Sequence, residues 1–475
     1  MIFTSNVFLF LFLPVFLIVY YLVKDSWRSY VIVLGSYLFY AWWRPDFLLL
    51  FVAISYWNYW FGLRIKACLD RDDKRLAFRL LTVGVIGDLA ALGYFKYANF
   101  GVEVIAAALA PLGINTFTLE HIILPLGISF YVFQAISYIV DIYRKQAEPT
   151  NRFVDFAAFI ALFPQLIAGP ILRYNQMDQQ LRQRTHSLEL FSLGACRFML
   201  GFVKKVLIAD SLAPMNTLFM GEPDLQMADA WFGVAVSLLQ LYFDFSGYSD
   251  MAIGLGMMMG FRFPENFNQP FLCQSLTEFW RRWHLTLADF LRDYVYLPIV
   301  RSRKVGADGA LFLTMMLSGF WHGASFSFIG FGLYFGFFMV LERKLGLTTK
   351  IDAPYKLWRN LLAMTMVVFC MPLFVAGNLD RAIEIYIGML GLRGLGGLEL
   401  YYIGTSALTM SFVLVALAWI VGAGVLNRRF YAGHKEGYLM QHVGGLSAVL
   451  LWAAFGLSIS RLAANSFSPF LYFQF

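Results

Sequence analysis

Long apolar runs broken by short basic or proline-containing stretches extend along almost the whole chain. The first, about Asn6–Val23, is followed by Lys24 and Arg28, and a second covers about Tyr30–Trp43. A short Arg44-Pro45-Asp46 turn leads into a third run ending near Leu63. Such lengths suit helices that cross a bilayer, which takes roughly 20 apolar residues each. The start of the chain lacks a basic flank and a small-residue cleavage site, so the first run reads as a retained helix.

Charge then sets the orientation. Arg64, Lys66, Arg71, Lys74, Arg75 and Arg79 form the densest basic segment and read as a cytoplasmic loop. Three crossings back from it, the N-terminus lies outside. Arg428, Arg429 and Lys435 precede the last run, Gly444–Ser460, so that helix exits outward as well. Both termini outside imply an even number of crossings, roughly ten to twelve. The expectation is an all-α polytopic membrane protein with one integral-membrane domain over residues 1–475, of which 466–475 is an external tail.

Composition agrees. The chain is 59% hydrophobic and 14% charged, with a mean hydropathy of +0.63, against roughly 25% charged residues in soluble domains. The net charge of +7 belongs to residues beside apolar runs and does not suggest nucleic-acid binding. Cys68, Cys196, Cys273 and Cys370 lack metal spacing and read as reduced core thiols. No phosphate loop, dinucleotide fingerprint or His-Glu-x-x-His helix is present.

The middle of the chain departs from plain spans. Gln274–Val300 holds Arg281, Arg282, His284, Asp289, Arg292 and Asp293. Each charge costs ~3 kcal/mol or more at the bilayer centre. The segment is therefore expected to be re-entrant or interfacial, enclosed by protein or lining a polar cavity. A Pro-bounded loop, Arg262–Pro270, precedes it. Phe163–Pro170 and Tyr94–Phe100 read as cavity walls.

Of six histidines, His186 and His434 lie in polar loops and read as solvated, and His121 and His442 as interfacial. His322 lies inside the apolar stretch Leu311–Leu341, with Gly319 and Gly323 on either side leaving room for another molecule. Catalysis and a satisfied helix–helix contact both remain open for it. His284, in Arg281-Arg282-Trp283-His284, is the second candidate beside a purely structural reading. Asp244 and Tyr248 share a helical face, so they either orient a histidine, pair Arg281 or Arg282, or hold helices in register. The apolar C-terminal hexapeptide carries one hydroxyl, that of Tyr472. It reads as inserting into a protected cavity as part of an active site, or as an anchoring or docking tail.

Trp321-His322-Gly323, Arg281-Arg282-Trp283-His284, Phe243-Asp244-Phe245-Ser246-Gly247-Tyr248-Ser249-Asp250 and Glu265-Asn266-Phe267 together resemble the membrane-bound O-acyltransferase superfamily. Ser5–Pro14, Gly93–Phe100 and the C-terminal hexapeptide extend the likeness to the bacterial alginate O-acetyltransferase group. Relatives acting on cellulose, peptidoglycan or teichoic acid share much of the pattern, and Gln165 stands where some relatives carry histidine. The resemblance implies a helical bundle with re-entrant helices around a funnel and tunnel. It implies that His322 is the catalytic histidine and His284 a second histidine near the tunnel. Trp321, Trp283, Asp244, Tyr248, Arg281, Arg282 and Asn266 are the accompanying candidates for substrate contact. In the D-alanylation system a small partner's Phe-x-Tyr-x-x-Phe terminus is thought to accept the acyl group, and Phe470, Tyr472 and Phe475 have that spacing. The expected donor is acetyl-CoA or an acyl-carrier thioester, with no tightly bound cofactor and no metal. Expected partners are periplasmic acetyltransferases, membrane lipid and an exported polysaccharide, alginate or cellulose-like, with the protein in the bacterial inner membrane. A transporter or flippase of an acylated carrier is the alternative, though no internal symmetry supports it. A non-catalytic secretion scaffold leaves the two histidines without a purpose.

Overall fold

The computed structural model describes residues 1–113, 119, 121–351, 353–430 and 445–464. Tyr472, with Phe470 and Phe475, lies outside them, as do His434 and His442. Among the described residues the fold is helical throughout, with a single isolated bridge between Phe267 and Trp283 and no strand. Among the described residues, five helices are long and apolar enough to cross a membrane: Asp46–Asp70, Lys74–Leu112, Phe326–Lys344, Leu357–Val375 and Leu446–Ala464. Shorter apolar helices cover Phe8–Leu22, Ile128–Tyr143 and Ala407–Gly422. The chain is thus an all-α, multi-pass membrane protein.

It divides into two compact units. The first comprises Met1–Ser192 and Leu255–Phe263. A π-helical turn, Phe8–Phe12, runs into α1 (Leu13–Leu22), followed by α2 (Asp25–Ala41), α3 (Asp46–Asp70), α4 (Lys74–Leu109) and α5 (Ile128–Tyr143). Then come α6 (Phe153–Ala161), the single turn α7 (Phe163–Leu166) and α8 (Tyr174–Arg182). Phe163 is buried, its ring edge-on to Phe12 at 5.4 Å and to Phe16 at 5.0 Å. That break is closed by packing, as expected for irregular backbone inside a membrane protein.

The basic segment after the third span is not a loop. Only Arg71–Asp73 lie outside helices, because α3 continues seven residues past Leu63 and α4 begins at Lys74. Lys66 pairs with Asp70 at 2.6 Å, and Asp73 caps α4 by accepting from the Leu76 N–H at 3.0 Å. These local bonds stabilise the facing ends of both helices. Within the span, α3 and α4 are joined by Asn58, which donates to Asp88 at 2.7 Å. The opposite face of α4 leaves Val83 and Ile86 exposed, as a lipid-facing surface requires. Tyr94 is exposed on the same helix.

The second unit comprises Leu193–Gly254 and Pro264–Phe475. Its part of α9 (Leu188–Val203) runs into a π-helical turn, Lys204–Ala209, and then α10 (Asp210–Gly221). Helix α11 (Met227–Met258) supplies the segment Asp244–Asp250. The polar middle of the chain forms three short helices, α12 (Leu276–Trp280), α13 (Leu285–Leu291) and α14 (Leu297–Arg301), the last after a π-helical turn. The apolar stretch around His322 folds as a hairpin of α15 (Ala307–His322) and α16 (Phe326–Lys344). It is drawn tight by glycine: a Cβ on Gly319 would stand 2.3 Å from the Phe328 carbonyl oxygen. One on Gly332 would stand 2.5 Å from that of Met315.

Candidate active site

The site begins with a turn. Ser275 caps α12 by accepting from the Glu278 N–H at 3.0 Å. The helix ends after two turns at most, and His284 follows in the left-handed region, φ +47° and ψ +52°. A non-glycine residue there costs about 1–3 kcal/mol unless its surroundings hold it. Here they do. Antiparallel pairing joins this turn to the preceding loop, with the Asn268 N–H donating to the Arg282 carbonyl at 2.8 Å. The Leu285 N–H donates to the Asn266 carbonyl at 2.9 Å.

Asn266 then orients the imidazole. Its Oδ1 lies 2.9 Å from Nδ1 of His284, and accepts from Thr286 Oγ1 at 2.9 Å and the Thr286 N–H at 3.4 Å. A backbone N–H can only donate, which fixes the amide oxygen on this side. Asn266 Nδ2 donates the other way, to Ser249 Oγ on α11 at 2.9 Å. Nδ1 of His284 therefore carries the proton, and in a neutral ring Nε2 is the basic nitrogen. Phe245 stands edge-on to the ring at 4.8 Å.

Trp321 connects the two candidate histidines. Its ring centroid is 6.2 Å from that of His284 and 5.0 Å from that of His322. His322 is the last residue of α15 and is buried, with Phe374 edge-on at 5.2 Å and Phe331 at 5.9 Å. The flanking glycines do not leave room for a visitor. The space beside Gly323 is filled by the Phe328 ring, 2.2 Å from where a Cβ would lie, and Gly319 serves the α15–α16 contact.

The remaining candidates sort differently from the sequence expectation. Asp244 does not meet Arg281 or Arg282; it pairs with Lys205 at 2.7 Å. Tyr248 is buried one turn further along α11. Arg282 is buried and bound to Glu278 at 2.8 Å, to the Asn268 carbonyl at 3.1 Å and to the Ile351 carbonyl at 3.1 Å. It braces the turn. Arg281 is exposed, donating to the Thr349 carbonyl at 3.5 Å. Trp283 is core, stacked on Phe279 at 5.5 Å. Gln165 is buried in the first unit, bonded to Gln134 and to the Phe159 carbonyl. His121 is exposed, whereas His186 is not simply solvated: Arg28 Nη1 lies 2.9 Å from its Nδ1 and Tyr20 Oη 3.0 Å from its Nε2. Among the described residues no cluster suited to a metal ion occurs.

Sequence reading missed Ser249 and Thr286, the two hydroxyls that orient Asn266, and the buried cations Arg197, Lys204 and Lys205. The signal for the cations was present as charge inside an apolar helix.

The sequence as a whole has counterparts among known proteins. The profile of the membrane-bound O-acyltransferase family (MBOAT) matches residues 150–379, which include both histidines, and the chain belongs to that family. It is an O-acyltransferase. Over its full length it is 46% identical to all of the probable alginate O-acetylase AlgI of Azotobacter vinelandii and 44% identical to all of that of Pseudomonas syringae pv. tomato. These place it in the AlgI group. It is also 33% identical to the peptidoglycan O-acetyltransferase of Helicobacter pylori, over 83% of this chain and 80% of that protein.

Proposed function

We propose that the chain transfers acetyl from a thioester donor to the hydroxyls of an exported polysaccharide, alginate or a related glycan. The observation that carries the reading is the arrangement of His284 and His322 on either side of Trp321, buried within the helical unit. The names of the relatives, alginate O-acetylase and peptidoglycan O-acetyltransferase, support acetyl as the group and a glycan as the acceptor.

Acetyl-CoA is too highly charged to enter hydrocarbon, so only its acetyl crosses. In this reading the donor, free CoA or a carrier thioester, approaches from the cytoplasm, with both termini of the chain on the periplasmic face of the inner membrane. His322 acts as general base, an effect worth ~10²–10⁴-fold. It takes the proton from an attacking hydroxyl as a C–O bond forms at the thioester carbonyl. The C–S bond breaks, and the imidazolium returns the proton to the departing thiolate. Placement at the end of α15 assists, since the negative pole of the helix favours the charge the ring acquires. His284, with its Nδ1–H committed to Asn266, offers a lone pair. That suits holding a donor N–H or hydroxyl in place better than stabilising an oxyanion.

The first hydroxyl to attack is that of Tyr472. A phenol with a pKa near 10 is a better leaving group than an alcohol, so the acetyl-tyrosine can pass its acetyl onward. A periplasmic acetyltransferase or the sugar itself receives it. The test is the intact mass of the C-terminal peptide after incubation with isotopically labelled acetyl-CoA. Label on Tyr472 that disappears in Tyr472→Phe and His322→Ala supports the relay. Consumption of donor with no label on Tyr472 makes the tail a docking element.

A further inference from the structure

Helices α9 and α11 meet along a seam with a seven-residue repeat. Gly194 and Gly201 face Gly254 and Gly247, and a Cβ on Gly201 would stand 2.4 Å from the Gly247 carbonyl oxygen. A Cβ on Gly254 would stand 2.5 Å from that of Gly194. Between the glycine contacts, and one step beyond the Gly201–Gly247 contact, the chain carries buried ions. Arg197 meets Asp250 through Nε at 2.8 Å, Lys204 meets Asp250 at 2.6 Å, and Lys205 meets Asp244. Close backbones and charged pairs alternate along one line. At such a crossing neither helix can slide or rotate without separating a charge from its partner.

Arg197 has a second grip. Its Nη1 and Nη2 donate to the two oxygens of Glu265 at 3.1 and 2.6 Å. The chain places these two carboxylates significantly: Asp250 follows Ser249, and Glu265 precedes Asn266. Ser249 and Asn266 are the pair bonded to each other at 2.9 Å, and Asn266 orients His284. One guanidinium thus spans the residues beside both members of the bond behind the histidine. We infer that Arg197 is a positioning residue for the transfer reaction, holding Asn266 against Ser249 so that the His284 ring keeps its orientation. The inference rests on the proposed place of His284 in the active site.

The fork is what the position demands. A guanidinium presents parallel N–H pairs to Glu265 while its Nε serves Asp250. A lysine reaches one carboxylate at a time. Asp250 retains Lys204 in either case, so the α9–α11 seam keeps a cation when Arg197 is changed.

The experiment compares Arg197→Lys and Glu265→Ala with the wild type in lipid nanodiscs. Three readouts are taken: acetyl transfer resolved into kcat and KM, melting temperature, and the rate of His284 carbethoxylation by diethylpyrocarbonate, followed by peptide mass. Misorientation of a catalytic group by about 1 Å can cost about 100-fold, so kcat should fall about 10- to 100-fold with KM within about twofold. His284 should be modified several-fold faster, with the melting temperature of Glu265→Ala near that of the wild type. Should Arg197→Lys not fold, Glu265→Ala carries the test, because the Arg197–Asp250 pair is intact in it. Wild-type kcat in a folded variant overturns the inference. So does a fall in kcat with His284 modified at the wild-type rate, which would place the effect elsewhere. Failure of the wild type to transfer acetyl would instead count against the proposed reaction, and the carbethoxylation rates would still decide the role of Arg197.

Discussion

Asn266 holds His284 by a 2.9 Å contact between its Oδ1 and the ring Nδ1, and the same oxygen serves both donors of Thr286. One amide therefore organises a histidine that sits in a left-handed backbone conformation. Replacing Asn266 with Ala strips the shared acceptor from three buried donors, each worth about 1–3 kcal/mol when left unmet. The variant should lose stability by a few kcal/mol and lose most of its activity. Asn266→Asp keeps the acceptor and should retain more of both. Thermal melting in detergent and acetyl transfer together check this.

His322 stands at a helix end among aromatic rings, where Gln approximates its volume without its basicity. His322→Gln should lower kcat by ~10²–10⁴-fold and leave melting close to the wild type. Equal activity in the two proteins would remove His322 from the chemistry.

Gly201 and Gly93 offer a paired steric test on long apolar helices. A methyl group at Gly201 meets backbone at 2.4 Å, whereas Gly93 has open space on α4. Gly201→Ala should destabilise by about 1–3 kcal/mol or more through overpacking. Gly93→Ala should be neutral or stabilising by up to about 1 kcal/mol, since alanine is the better helix former. Melting curves of the two variants should shift in opposite directions or only the first should move.

The loop residue His186 gives stability a pH dependence. Burial, then the nearby Arg28 charge, hold its pKa below the ordinary value of 6.5, with Arg184 acting alike and Asp25 opposing. Tyr20 donates its own proton to the Met259 carbonyl at 2.7 Å, so its oxygen accepts from Nε2–H while Arg28 donates to Nδ1. Only a neutral ring completes that chain. Because the unfolded chain takes up the proton first, the stabilisation is whole above about pH 6.5 and is lost as pH falls toward the folded-state value. Melting temperature should drop between pH 8 and pH 5 more steeply in the wild type than in His186→Gln. Parallel slopes would assign the acid sensitivity to other groups.

Much of this was legible from the chain. Length and hydropathy specify membrane helices, and the charges of Gln274–Val300 already demand a broken segment; α12–α14 are broken, with Glu278, Arg282 and His284 buried but the Asp289 side chain half-exposed and Arg292 exposed. His284, His322 and Asn266 stand out because polar groups within apolar stretches need partners. Which partners they find is another matter. Asp244 could have met Arg282 by every local rule, yet Lys205 takes it, because the crossing of α9 on α11 is set by glycines far apart in sequence. The glycines beside His322 carried a second ambiguity: absence of a side chain marks space, but a neighbouring helix uses that space. The turn Arg71–Asp73 was overlooked since basic residues look like loop when helix caps and ion pairs are not weighed.

The alternating seam also makes chain length itself a constrained quantity. Removing one residue between Gly194 and Lys204 would rotate everything beyond it by about 100° about the helix axis, bringing side chains into the glycine contacts and carrying cations away from carboxylates. The π-helical turn at Lys204–Ala209 is wider than an α turn and sets Lys205 beside Asp210, five residues on, at 2.7 Å. Substitutions at exposed positions of α9, such as Glu189 and Ser192, should be absorbed readily, whereas single-residue insertions or deletions in this stretch should not be.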